Sequence, residues 1–141
     1  MLVRLMYASR ATQAVDQEEL VAILRQSKAN NPPQGITGVL CCSGEAFIQV
    51  LEGGREAVNR LYNRIVADTR HRDMVLLNYD EIAERRFAGW AMGQVNLARL
   101  NPAVLLKYSP TAKLDPYAMC GKASAALFEE MIATAAIMGQ G

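Results

Sequence analysis

The side chain that most clearly requires hydrogen-bond partners in this sequence is Gln49, which lies in the stretch AFIQVLEGG at residues 46–54. Alternating positions of this predicted strand are apolar on both faces, so we expect Gln49 to be buried among hydrophobic side chains. A primary amide has two donors and two acceptor sites, and leaving one unpaired in the core costs about 1–3 kcal/mol. Gln49 therefore requires polar partners from other elements.

Several residues could meet Gln49 at one place. Tyr7 lies in a predicted strand at residues 2–8, which the predicted order of elements places next to the strand of Gln49. The candidates on two predicted helices are Ile23, Asn30, Asn31, Arg64, Ile65 and Asp68. A flat heterocycle would fit between the two isoleucines, with amides and an arginine at its polar edge. A core pair of Tyr7 and Gln49, with asparagines that only cap a helix, explains the same spacing, and spacing alone slightly favours this plainer arrangement.

Signals for other site chemistry are weak. The sequence has no Gly-rich phosphate loop and no Ser/His/Asp arrangement typical of a hydrolase. The adjacent Cys41 and Cys42 point to opposite faces of a strand, and with Cys120 and a single histidine they do not indicate a metal site. His71 lies between two arginines and is expected to be solvated or to bind an anion. We therefore predict neither a metal nor enzymatic residues.

The composition indicates one globular domain. The chain has 141 residues, 51% of them hydrophobic, and a net charge of +1, which gives no electrostatic reason to bind nucleic acid or an anionic membrane. Aromatic residues make up only 6%, which argues against a base-stacking surface. No apolar run reaches the ~18–20 residues needed to span a bilayer, and the N-terminus lacks a signal-peptide pattern. We expect a cytoplasmic protein that contacts neither nucleic acid nor membrane.

Hydrophobic periodicity predicts the element order β-α-β-β-α-β, followed by one more strand. The first helix is expected to begin at Asp16, which with Glu19 resembles a capping box. The last predicted strand places Trp90, Met92 and Gln94 on one face. The remaining predicted bounds are a hairpin turn at 43–45, a helix at 55–68, and strands at 73–82 and 89–97. This order predicts an α+β, ferredoxin-like βαββαβ(β) sheet with two helices on one face, plus C-terminal helices.

The chain is expected to divide near residue 97. Residues 1–97 would form the main domain, and residues 98–141 a helical extension with helices near 100–106 and 122–138. This extension is too short for a domain, so we expect it to pack on the sheet or at a subunit interface.

Five strings in this order resemble the BLUF family of flavin-dependent blue-light sensors. They are RLMYAS, SKANNPPQGITGVL, AFIQVLEG, RIVADTRH and RRFAGWAM. The later strings LLKYSP and LDPYAM are similar to the short, stand-alone (PixD-like) type of the family. The resemblance implies that residues 1–97 are a BLUF flavin-binding domain.

The resemblance also implies a cofactor and its site. The cofactor would be noncovalent FAD, with FMN or riboflavin as alternatives. The implied binding residues are Ile23, Asn30, Asn31, Gln49, Arg64, Ile65, Asp68, Arg70 and His71, and the implied photoactive residues are Tyr7, Ser27, Gln49, Trp90 and Met92. Light-driven electron and proton transfer from Tyr7 would rearrange the hydrogen bonds of Gln49, by rotation or tautomerisation.

The implied output is a change of conformation rather than catalysis. The signal would pass through the fifth strand and the C-terminal helices to a separate partner protein, from a homo-oligomer of two to ten copies. Two alternatives from other functional classes stay open on the residues themselves. One is a flavin-dependent enzyme, and the other is a flavin-free ferredoxin-like interaction module.

Overall fold

A computed structural model describes residues 1–13, 15–96 and 100–134, together with the backbone of 137–138. Two single-turn 3₁₀ helices, Pro32–Gln34 and Pro116–Ala118, supplement the main elements. The strands and helices in chain order are β1 (Leu2–Ala11), α1 (Gln17–Asn30), β2 (Thr37–Ser43), β3 (Ala46–Gly54), α2 (Arg55–Ala67), β4 (His71–Ile82), β5 (Gly93–Val95), α3 (Pro102–Tyr108), α4 (Gly121–Ala133) and β6 (Ile137–Met138).

The strands form one sheet in the order β4-β1-β3-β2-β5-β6. All neighbours are antiparallel except β2 and β5, which are parallel. The predicted βαββαβ topology with an added strand is confirmed. It places β1 and β3 side by side near the centre of the sheet, with Tyr7 directly opposite Gln49 in the register.

Local sequence signals define helix α1. Asp16 is its N-cap, and the Asp16 carboxylate accepts a hydrogen bond from the Glu19 backbone N–H at 2.7 Å, as the capping pattern predicted. The helix ends where Pro32 and Pro33 follow, because proline cannot continue the hydrogen-bonding ladder. Gly35 then adopts a left-handed conformation with φ of 69°, which directs the chain into β2.

Apolar side chains cover both faces of the sheet. The helix-side core lies under α1 and α2, and the C-terminal-side core lies under the C-terminal helices. Main members of the helix-side core are Val3, Leu5, Tyr7, Leu20, Ile36, Leu40, Phe47, Leu51, Val58 and Met92. Main members of the C-terminal-side core are Met6, Ala8, Val39, Ile48, Val50, Phe87, Leu127, Phe128 and Met131. This double burial explains why β3 is apolar at both sets of alternating positions.

The last elements differ from their predicted bounds. Strand β5 spans three residues, and before it Trp90 follows a turn and Met92 lies in a bend, so period-two alternation does not apply to them. Helix α3 begins later than predicted because the Asn101 side chain caps it and Pro102 occupies its first turn. Helix α4 ends at Ala133, short of its predicted bound at 138, and Ile137–Met138 form strand β6 instead of helix. Residue 97 of the predicted strand and residues 135–136 of the predicted helix lie outside the described residues. No helix of the described residues has the length and apolarity needed to cross a membrane.

Candidate functional site

A cavity of about 640 Å³ lies between α1, α2 and the sheet. Its volume falls in the range of small-molecule sites, about 300–1,000 Å³. The cavity brings together eleven of the thirteen residues singled out from the sequence. They are Tyr7, Ile23, Ser27, Asn30, Asn31, Gln49, Arg64, Ile65, Asp68, Arg70 and His71. Trp90 and Met92 are the two that do not line it.

Tyr7 and Gln49 form a buried hydrogen bond at the sheet side of the cavity. The Tyr7 hydroxyl donates to Gln49 Oε1, and both residues are at least 94% buried, with exposures of 2% and 6%. Gln49 Nε2 donates to the sulfur of Met92 at 3.5 Å. Burial raises the pKa of Tyr7 far above its usual value, and the negative charges of nearby Tyr62, Cys42 and Asp68 would add to the shift. The phenol is therefore neutral and keeps its proton on the hydroxyl oxygen.

The two asparagines at the end of α1 have different surroundings. Asn31 is only 4% exposed, and Asn31 Nδ2 donates to the carbonyl of Ala91 at 3.1 Å. The Asn31 backbone carbonyl also accepts from the N–H groups of Gln34 and Ile36. Asn30 is exposed, and its backbone carbonyl accepts from Gln34 Nε2 at 3.2 Å. Asn31 thus joins α1 to the segment before β5, whereas the Asn30 side chain lies at the open side of the cavity.

Arg64 contacts a residue that the sequence analysis missed. Arg64 Nη2 donates to Gln34 Oε1 at 3.3 Å, which connects α2 to the turn after α1. The sequence pattern indicates Gln34 only as part of a helix-ending segment, and no local pattern relates it to a residue thirty positions away. Helical spacing offered a better signal for two other lining residues, because Glu19 and Gln26 lie on the same face of α1 as Ile23 and Asn30.

The charged residues at the far end of α2 are already paired. Asp68 caps α2, and Asp68 accepts from the Arg70 backbone N–H and from the Arg70 guanidinium, with Nη2 at 2.6 Å from Oδ2. These hydrogen bonds hold the pKa of Asp68 at about 2, although partial burial opposes the shift. His71 is half-buried rather than solvated: its Nδ1 lies 2.9 Å from the Ser9 hydroxyl, and its ring centroid lies 5.5 Å from that of Phe47, with the two rings inclined at 63°. Burial lowers the pKa of His71, which favours the neutral imidazole.

Trp90 and Met92 lie on opposite sides of the sheet, not on one face as predicted. Met92 belongs to the helix-side core beside Gln49. Trp90 packs against the C-terminal-side core, with its ring centroid 6.0 Å from that of Phe87. The buried Trp90 Nε1 has no hydrogen-bonding partner among the described residues. The irregular backbone of residues 88–92 makes this separation possible.

The lining of the cavity suits a flat heterocycle with a polar edge. Ile23 and Ile65 offer apolar surfaces on the two helices, and the Asn31 amide and Arg64 guanidinium offer polar atoms between them. Within the described ranges, no three His, Cys, Asp or Glu side chains are grouped to hold a metal ion. The residues present therefore fit an aromatic cofactor whose edge carries carbonyl and N–H groups.

Fold and site together define a ferredoxin-like domain with a cofactor cavity between its two helices. Residues 2–93 match the family model of BLUF, sensors of blue-light using FAD, and the chain belongs to this family. BLUF domains are flavin-binding sensor domains for blue light. The match covers every residue that lines the cavity.

Two solved BLUF-type structures resemble the chain over nearly its full length. The photo-activated state of BlsA is 29% identical, with a TM-score of 0.82, and the match covers 100% of this chain and 99% of that chain. The dark-state structure of BlrB, a BLUF protein, is 32% identical, with a TM-score of 0.74 and coverage of 95% and 96%.

A curated relative is much longer. Photoactivated adenylate cyclase subunit beta of Euglena gracilis is 39% identical over 84 residues, which are 60% of this chain and 10% of that protein. The chain thus spans about a tenth of the length of this relative.

Proposed function

We propose that this chain senses blue light through Tyr7 and Gln49, next to a flavin bound in the cavity between α1 and α2. The observation that carries the proposal is the buried hydrogen bond from Tyr7 to Gln49 at the cavity wall. The output is a change of conformation, not catalytic turnover.

The cavity residues would hold the flavin by its faces and edge. Ile23 and Ile65 would flank the ring, Asn31 with Asn30 would meet ring carbonyls, and Arg64 with Asp68 would meet the pyrimidine end. Arg70 and His71 would lie near the ribityl and phosphate part. FAD is the proposed cofactor, with FMN or riboflavin as alternatives. Bound flavin would supply blue-light absorption and, when excited, a strong oxidant.

Tyr7 is the group suited to release an electron together with a proton. Its neutral hydroxyl already donates to Gln49 Oε1, so the proton has an acceptor in place. Loss of an electron makes a phenol strongly acidic, which drives this proton toward Gln49 Oε1. The proton and electron return to Tyr7 at the end of the cycle, and no net redox change remains.

Gln49 is the residue whose hydrogen bonds would stay rearranged after the electron and proton have returned to Tyr7. Within the described part of the chain, the hydrogen-bond acceptor of its Nε2 is a thioether sulfur, which is a weak acceptor, so rotation or tautomerisation of the amide gives up little. A neutral amide can donate or accept at either end after such a change, whereas Leu cannot. The altered hydrogen bonds at the ring edge would shift the flavin absorption slightly to the red.

The signal would leave the site through the segment before β5. Met92 accepts a hydrogen bond from Gln49, the Ala91 carbonyl accepts one from Asn31, and β5 begins directly after Met92. The division into a sensor domain at 1–97 and an extension at 98–141 belongs to this proposal, with the extension presenting different surfaces in dark and light. The proposed receiver of that change is a separate protein partner, and the sensor chain itself is proposed to form a homo-oligomer of two to ten copies.

An absorption spectrum before and after a blue pulse tests the proposal. We expect a flavin spectrum that shifts slightly to the red and recovers in the dark. Gln49→Leu should bind flavin without the shift, because it removes the amide and keeps the side-chain volume similar. Bleaching in place of a reversible shift, or a full shift in Gln49→Leu, would rule out the proposed use of Gln49.

A further inference from the structure

Glu52 is the one charged side chain that is fully buried among the described residues, with 0% exposure. It lies on β3, three positions after Gln49, so its side chain projects to the opposite face of the sheet. A buried carboxylate is costly unless donors surround it, and its partners therefore indicate what it does.

Donors from β1 and from the segment between β4 and β5 satisfy both oxygens of Glu52. Arg4 on β1 donates from Nε to Glu52 Oε2 at 2.8 Å, and its Nη2 lies 2.7 Å from the same oxygen. The backbone N–H of Phe87 donates to Oε1 at 2.7 Å, and that of Arg86 donates to both oxygens at 3.0 Å. An ionised carboxylate, which only accepts, matches this set of donors.

A second side chain fastens the same segment from the outside. The Arg85 guanidinium donates to the Gly35 carbonyl at 2.6 Å, to Thr37 Oγ1 at 3.1 Å and to the Glu52 backbone carbonyl at 3.4 Å. Residues 85–87 are therefore fixed to the end of β3 and the start of β2. The following residues, up to β5, begin from this fixed point.

The segment that starts at Phe87 carries Trp90 and Met92, the two photoactive candidates that lie outside the cavity. The backbone N–H of Trp90 donates to the Phe87 carbonyl at 2.9 Å, and the Trp90 carbonyl accepts from the backbone N–H of Gly38 at 3.0 Å. Two residues later, Met92 sulfur reaches Gln49 Nε2. A shift of Phe87 would consequently move Trp90 and Met92 relative to Gln49.

We infer that Glu52 is a positioning residue: by holding residues 86–87, it fixes Met92 against Gln49 and Trp90 against the C-terminal-side core in the described state. We call the hydrogen bonds of Glu52 to the backbone of residues 86–87 the Glu52 clamp. Glu52 and Gln49 share strand β3, so this clamp and the Gln49 amide are held by the same strand. Release of the clamp weakens the arrangement to which the protein returns after illumination. This inference rests on the proposed function for its effect on recovery, but not for its effect on Trp90 in the dark.

Glu52→Gln tests the inference, because it keeps the shape and turns one acceptor into a donor that faces backbone N–H groups. The control is Glu56→Gln, the same change at an exposed position of α2. In the flavin-loaded protein, we expect Glu52→Gln to recover from illumination about tenfold more slowly, a change of about 1.4 kcal/mol in the barrier. Glu56→Gln should recover at the wild-type rate.

Trp90 supplies a readout that needs no light response. It is the single tryptophan of the chain, so quenching of tryptophan fluorescence by acrylamide in the dark reports on its exposure. We expect stronger quenching in Glu52→Gln than in Glu56→Gln. Val3→Ala, which weakens the core on the face opposite the Glu52 side chain, should lower thermal stability without this change in quenching.

Unchanged quenching together with a recovery rate within about twofold of wild type, or a faster recovery, would overturn the inference. If Glu52→Gln does not fold, Arg85→Gln loosens the same segment from its exposed side, and the same two readouts decide with a smaller expected effect of about threefold. If the wild type shows no light-induced shift, the proposed function fails, while dark quenching of Trp90 still tests the clamp.

Discussion

Tyr7 on β1 and Gln49 on β3 face each other directly across two central strands, and the Tyr7 hydroxyl donates to the Gln49 amide oxygen. The pair lies at the wall of the cavity, with the helix-side core behind it. A donor and its acceptor are thus held in place by two strands that each pair with a neighbour on both sides.

Tyr7→Phe should keep flavin bound and abolish the reversible red shift, because no hydroxyl remains to give a proton to Gln49. The buried Gln49 oxygen also loses its donor, which should lower the free energy of unfolding by about 1–3 kcal/mol. Absorption spectra under blue light and urea unfolding measure the two effects. Tyr62→Phe is the matched control, since its ring lies 5.7 Å from Tyr7 and is only partly buried. A complete photocycle in Tyr7→Phe would contradict the proposed mechanism.

Asn31→Ala and Asn30→Ala should separate flavin binding from stability. Both changes are expected to weaken flavin binding, by about tenfold for Asn31→Ala, or about 1.4 kcal/mol. Only Asn31→Ala should also destabilise the protein without added flavin, because it leaves the Ala91 carbonyl without the Asn31 amide. Flavin titration and urea unfolding are the measurements. Equal stability of the two variants would show that the bond to Ala91 contributes little.

Asp68→Asn should reveal an acid-dependent contribution to stability. The Arg70 hydrogen bonds lower the pKa of Asp68 from 3.8 to about 2. A lowered pKa in the folded state stabilises the protein above the unfolded value, and this contribution is lost as the pH falls toward 2. We expect the urea midpoints of wild type and Asp68→Asn to differ most at neutral pH and to converge near pH 2. High salt should reduce the difference, because the pair is partly exposed. A difference that is independent of pH would contradict this origin.

Gly38→Ala should disturb the contact between β2, β3 and Met92. A Cβ at Gly38 would collide with the Val50 carbonyl oxygen and lie 3.3 Å from Met92 Cε. We expect a loss of about 1–3 kcal/mol in urea unfolding, as for other overpacked sites, together with an altered rate of dark recovery. Gly54→Ala is the control, since a Cβ there meets nothing within 4 Å. Comparable stability of the two variants would mean that the strands adjust freely at Gly38.

The sequence predicted the parts of the site that depend on element order and local pattern. Asp16 and Glu19 identified the start of α1, and the proline pair identified its end. The adjacency of Tyr7 and Gln49 followed from the order of elements, because a split βαβ unit places the first and third strands side by side. Eleven of the thirteen site residues that the family resemblance implied line one cavity, and their roles toward flavin are proposals.

Other features depended on contacts that no local pattern encodes. Gln34 meets Arg64 across thirty residues, and Glu52 meets the backbone of Arg86 and Phe87 across more than thirty. Backbone N–H groups carry no residue identity, so a sequence cannot indicate that a particular carboxylate will bind them. A strand over residues 89–97 predicts Trp90 and Met92 on one face, whereas β5 begins only at Gly93.

The amino-acid sequence by itself determined the ferredoxin-like order of elements, the burial of both sheet faces and the polar residues gathered between two helices. It could do so because hydrophobic period, capping and proline act over a few neighbouring residues. Only the tertiary structure decided the bonding partners of Gln49, the separation of Met92 from Trp90 and the clamp at Glu52. Those features depend on how the irregular segment at residues 85–92 packs against strands that are distant in the chain. Packing and the need to pair buried polar groups determine that position.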